Sequence, residues 1–106
     1  MFLWDLQTIT SAINNGNIEW HRHAFERMME RGISRREVMD VLLTGEVIEE
    51  YPTDYPHPSV LMLGNSGEIP LHVVAAFDYA QGTLYIITAY YPDFLHFLDD
   101  YKTRRT

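Results

Sequence analysis

His23, Arg27 and Arg31 recur at i, i+4 and i+8, which on a helix aligns them as one stripe. The neighbouring stripe of Phe25, Met28 and Met29 is expected to face the core. An imidazole beside two permanent cations suits metal-independent cleavage of RNA, because the ring can move a proton while the guanidiniums stabilise charge developing at phosphorus. An opposite wall can come from strands. His72, Thr88 and Tyr90 share a face if the last two strands pair, with Tyr90 donating a proton or holding a phosphate and Thr88 positioning it. On this reading His23, Arg27, Arg31 and Tyr90 are the catalytic candidates, and Thr88, His72 and Arg22 the substrate-binding ones. A structural role competes with each assignment: a His in the first turn of a helix caps or packs, Glu26 and Glu30 stand near the Arg side chains, and Thr and Tyr are ordinary strand residues.

Other chemistries find less support. His21-x-His23 puts two imidazoles on one face only in an extended backbone, and His57, His72 and His96 are scattered. No His-Glu-x-x-His spacing, Gly-rich phosphate loop, serine elbow or dinucleotide fingerprint occurs, so neither a metal nor a cofactor is expected. The turn from Tyr51-Pro52 to Tyr55-Pro56 reads as a rigid loop rather than a base-stacking platform.

The elements that must carry these residues follow from periodicity. Leu6, Ile9 and Ile13 predict a helix over 4–14 that stops at Asn14-Asn15-Gly16, and the stretch from Asn17 to Trp20 reads as extended, a brief strand at most. The pairs Ala24/Met28 and Phe25/Met29 predict a second helix from His21 to Gly32. Ser34-x-x-Glu37 is a capping box that opens a third, carrying Val38, Val41 and Leu42 and ending at Gly45. Strands are predicted over 46–51, 60–64, 71–78 and 83–91, the last two joined by an Ala80-Gln81-Gly82 hairpin loop. In that register His72, Val74, Ala76 and Asp78 share a face with Leu84, Ile86, Thr88 and Tyr90. Pro92 then opens a terminal helix with Phe94, Leu95, Phe97, Leu98 and Tyr101. The expected fold is α+β: N-terminal helices packed on a four-stranded antiparallel sheet, with a C-terminal helix.

The totals fit a single domain over 1–106. Apolar residues at 46% and charged residues at 22% sit near the globular average. No apolar run nears the length of a membrane span, the N-terminus lacks the order of a secretory signal, and cysteine is absent, so a cytoplasmic protein with no membrane partner is expected. The net charge of −7 argues against a polyanionic partner until its distribution is seen. Residues 46–100 hold nine acids and no Lys or Arg, whereas Arg22, Arg27, Arg31, Arg35 and Arg36 fall within fifteen residues, and Lys102, Arg104 and Arg105 close the chain. Those bases either bind phosphate or neutralise the protein's own acids, and the sequence leaves both open.

His23-Ala24-x-x-Arg27-Met28-x-x-Arg31-x-Ile33, Gly45-Glu46-x-Ile48-x-x-Tyr51 and Ile87-Thr88-Ala89-Tyr90-x-Pro92 together resemble the bacterial and archaeal family known as domain of unknown function 4258, over about residues 18–100. That family is similar to the ribonuclease-toxin superfamily of barnase and the ribosome-dependent messenger-RNA interferases, whose fold puts helices before a four-stranded antiparallel sheet. The resemblance implies an endoribonuclease cutting by 2′-hydroxyl attack, with RNA as substrate and His23, Arg27, Arg31, Thr88 and Tyr90 as site residues. It also implies a toxin–antitoxin pair with a small zinc-finger antitoxin as partner. The acidic body departs from the usual basic toxin, so a non-catalytic protein- or nucleic-acid-binding module of the same fold stays open beside it.

Overall fold

The computed structural model describes residues 4–93 and 97–104. Among them the order is α1 (Leu6–Asn14), β1 (Ile18–Trp20), α2 (Arg22–Arg31), α3 (Arg35–Thr44), β2 (Glu46–Tyr51), β3 (Ser59–Ser66), β4 (Ile69–Asp78) and β5 (Thr83–Tyr90). Local chemistry sets the helix ends. Asp5 caps α1 by accepting from the Gln7 amide and the Thr8 hydroxyl, and Gly32 takes the left-handed conformation (φ 70°) that ends α2. The capping box opens α3 as expected: the Glu37 amide donates to Ser34 Oγ at 3.1 Å and the Ser34 amide to Glu37 Oε1 at 2.9 Å.

The expected four-stranded antiparallel sheet is corrected to a five-stranded mixed one, in the order β1-β5-β4-β3-β2. The extra strand is Ile18–Trp20, which runs parallel to β5 with Ile18 opposite Leu84 and Trp20 opposite Ile86. Three residues make a weak local signal, and their partner lies more than sixty residues on, so composition could mark them only as extended. The expected C-terminal helix is corrected too. Phe97 pairs with Arg104 in an isolated antiparallel bridge, with turns and bends between them, while the positions of Phe94, Leu95 and His96 lie outside the described residues.

All the helices pack on one face of the sheet, where Ile9, Met28, Val38, Val41 and Leu42 meet Val60, Met62, Leu71, Val73, Phe77, Leu84 and Ile86. Met28 is buried within this core, Phe25 is half-buried, and Met29, expected to face inward, is 67% exposed. The contact between α3 and β3 is close: a Cβ added at Gly64 would meet Val41 Cγ2 at 2.7 Å.

Irregularities in two strands decide what faces away from the helices. Along β5, Leu84 and Ile86 pair with Phe77 and Ala75 on the helix side, but the register then shifts, and Thr88 and Tyr90 pair with Val74 and His72. Because strand side chains alternate, the extra residue at the shift returns Ala89 to the core and turns Tyr90 outward. The expected grouping of Leu84 and Ile86 with His72 is therefore replaced by two faces joined at a bulge. A second shift between Val47 and Glu49 sends Val47 inward and sets Glu49 and Tyr51 opposite Leu61 and Ser59 on the outer face. That outer face is partly roofed by residues 97–104: Phe97 is buried edge-on against His72, their ring centroids 4.6 Å apart, and both His72 and Leu61 are fully buried.

Candidate functional site

At the end of β5 lies a cleft of about 510 Å³ lined by Arg31, Tyr90, Tyr91, Asp93, Phe97 and Arg104, residues that come from both sides of the sheet. Each side chain arrives by a different route. Arg31 is the last residue of α2, and its Nη1 donates to the carbonyl of Ala89 at 2.8 Å, which ties the helix end to β5 and leaves the rest of the guanidinium facing the cleft. Tyr90 is carried outward by the β5 bulge. Arg104 comes from the terminal bridge, donates from Nε to Glu49 Oε2 at 2.7 Å and lies over the Phe97 ring at 4.8 Å.

His72 sits beneath Tyr90 with both ring nitrogens engaged. Nε2 is 2.7 Å from the carbonyl oxygen of Tyr101, and Nδ1 is 3.3 Å from the Tyr90 hydroxyl. A carbonyl only accepts, so Nε2 carries the hydrogen and Nδ1 presents its lone pair to Tyr90. The phenol therefore points its hydrogen at His72 and its oxygen lone pairs toward the cleft. Burial pushes the His72 imidazole below its ordinary value, keeping it neutral, and burial pushes the Tyr90 phenol up. Burial also raises Glu49, but bonds from Arg104 and from the Tyr51 hydroxyl outweigh it and hold that carboxylate ionised.

The candidates named from sequence separate into two groups. Arg31 and Tyr90 line the same cleft, His72 supports it from below, and Thr88 lies on the same outer face opposite Val74. His23 is at the other end of α2, about 12 Å along the axis from Arg31, with its side chain 93% exposed and 3.8 Å from Glu26. Arg22 is likewise exposed and paired with Glu26, and Arg27 is exposed on the helix between them. The residues not among the sequence-derived site candidates are Arg104, Glu49 and Tyr51; the available signals are the cluster of bases closing the chain and the Tyr51 of the Gly45–Tyr51 motif. Lys102 and Arg104 neutralise two of the three acids of β2 by pairing with Glu46 and Glu49, so part of the positive charge is spent within the molecule. Among the described residues no group of three His, Asp or Glu side chains is placed to share a metal ion.

These features define a class: an α+β protein with its helices on one side of a mixed sheet and, at the end of β5, an open cleft walled by two guanidiniums and a phenol. Residues 20–91, more than half of the chain, match the family model Domain of unknown function (DUF4258), and the chain belongs to that family. No significant match occurs among curated proteins or solved structures. No described helix is long and apolar enough to cross a membrane.

Proposed function

We propose that this chain is a toxin-like, metal-independent endoribonuclease whose site is the Arg31–Tyr90–Arg104 cleft. The observation that carries the reading is the ordered pair beneath it, a buried imidazole within hydrogen-bond distance of a phenol that lines the cleft together with two guanidiniums. An RNA ribose 2′-hydroxyl donates to the Tyr90 oxygen. As its proton moves to that oxygen, the phenol proton passes to His72 Nδ1. The 2′-oxygen attacks phosphorus and the P–O5′ bond breaks, giving a 2′,3′-cyclic phosphate and a 5′-hydroxyl that takes its proton from water; the hydroxide left behind takes a proton from Tyr90 as His72 returns its own to the phenol. Arg31 and Arg104 hold the non-bridging oxygens, the role for which a planar guanidinium fork is suited. The imidazolium formed in passing is held by the Tyr101 carbonyl, against the cost of its burial and of the Arg104 charge, which the charge of Glu49 partly offsets. In this scheme proton transfer rests with Tyr90 and His72 rather than with His23, and an antitoxin partner would act by covering the same cleft.

The test is cleavage of single-stranded RNA, and of messenger RNA on ribosomes, in the presence of chelator. Tyr90→Phe removes the relay and should lower the rate by about a hundredfold or more, with Arg31→Ala losing a comparable amount. Cleavage that survives both substitutions but disappears with His23→Ala would move the chemistry to the start of α2 and overturn the assignment. A non-catalytic phosphate-binding role for the same cleft is favoured by the prior claim of Glu49 on Arg104. RNA binding that depends on Arg31, with no cyclic phosphate formed by the native chain, would establish that role instead.

A further inference from the structure

A second hollow, of about 410 Å³, opens on the same outer face farther along β4 and β5. Its floor is aliphatic, from Val74, Ala76 and Ile87. Its wall is a pair of parallel rings, His57 and Tyr85, 5.4 Å apart and inclined by only 6°. Tyr55 lines the mouth although it is 95% exposed, so its ring packs on little of its own chain. The rim is polar and acidic: Ser59 Oγ donates to Asp54, which lines the hollow, and Asp78 stands 3.7 Å from His57 Nε2.

Those surfaces select an occupant. Aliphatic floor and aromatic wall call for a flat, uncharged group, and the carboxylate of Asp54 calls for N–H donors on its edge. The acids on the rim repel phosphate, so a nucleotide would enter by its base and leave its backbone outside. The position agrees: the His72/Tyr90 row and the Ala76/Tyr85 row lie on one face, four residues apart on β4, or about 13 Å. Thr88 lies between them, and a short single strand can span that distance.

We propose that this hollow is a nucleobase subsite, which stacks one unpaired base of the single-stranded RNA whose phosphate lies in the Arg31 cleft. The inference rests on the RNA reading of that cleft, but it concerns recognition rather than cleavage. The 52–58 loop, whose sequence reads as a rigid turn rather than a base-stacking platform, then supplies a stacking surface.

The experiment measures binding of a 2′-O-methyl single-stranded RNA pentamer, which cannot be cut, against versions carrying one abasic nucleotide at each position in turn. One abasic position should weaken binding about tenfold. Tyr55→Ala and Tyr85→Leu should each lower affinity for the intact pentamer and shrink the abasic penalty. Tyr55 is exposed enough for its truncation to leave folding untouched. Arg31→Ala should weaken the intact and abasic strands alike. A flat abasic scan, or variants that keep the native penalty, overturns the subsite, and does so even if native RNA is cleaved. Conversely, a Tyr55-dependent penalty in a chain that cuts no RNA sustains the subsite and overturns the nuclease.

Discussion

At the scale of single residues, the molecule depends on what His72 is allowed to be. Its two ring nitrogens are committed to Tyr101 and Tyr90, and Phe97 seals it from water. Because burial holds the folded ring below its ordinary 6.5, the unfolded chain binds a proton that the folded chain refuses. The stability this contributes is complete above the ordinary value and is lost as pH falls from there toward the value of the folded ring. Urea midpoints measured from about pH 7 to pH 5 should therefore decline, and His72→Gln, which keeps a donor for the Tyr101 carbonyl, should flatten the decline. Spacing and alternation single out Arg31, His72, Thr88 and Tyr90, and the fold brings Arg31 and Tyr90 to one cleft with His72 beneath it. Arg104 is not singled out, because its role comes from a bridge to Phe97 and a bond to Glu49 fifty-five residues away. His23 shares a stripe with Arg31, but a stripe on a helix specifies direction and not distance, and the Arg31 cleft lies at the C-terminal end of that helix.

At the scale of elements, local rules predicted most of what formed. The capping box of α3 is an example, and Ser34→Ala should cost about 1 kcal/mol, read as a lower midpoint in thermal or urea unfolding with RNA binding unchanged. Close packing between elements left no mark in the sequence pattern beyond a glycine. Gly64→Ala would drive a methyl group against Val41 Cγ2, and overpacking of that kind should destabilise by roughly 1 to 3 kcal/mol. The double substitution Gly64→Ala with Val41→Ala should regain part of the loss, which a thermal melt of both variants would measure. What periodicity missed are the pairings whose energy is non-local. A three-residue strand has little propensity of its own, and β1 is held by the β5 backbone, with the Leu84 amide donating to Asn17 O at 2.9 Å and the His21 amide to Ile86 O at 3.3 Å. The terminal segment misled for the opposite reason: Phe94 to Tyr101 has the apolar spacing of a helix, yet Phe97 is used to cover His72 and Asp100 accepts from the Lys102 and Thr103 amides in a turn.

At the scale of the whole molecule, the net charge of −7 limits how RNA can be held. If only Arg31 and Arg104 meet phosphates, two counterions are displaced, and the logarithm of affinity should fall against the logarithm of salt with a slope near −1.4, taking about 0.7 per contact on a single strand. If the five arginines of residues 22–36 were the binding surface, the slope would approach −3.5 by the same rule. A salt titration of a short single-stranded RNA separates the two. The shallow result would also fit a protein that grips a few nucleotides and lets its acids repel the rest of the strand. The bulge in β5 has its own consequence for how such a chain can change over time. The surplus residue near Ile87 sets the inside–outside count of everything after it, so losing a residue beyond the bulge, such as Ala89, would keep the hairpin but set Tyr90 opposite Val73 and swing its phenol into the oily interior. Point substitutions can tune this surface gradually; a one-codon deletion would erase it in a single step.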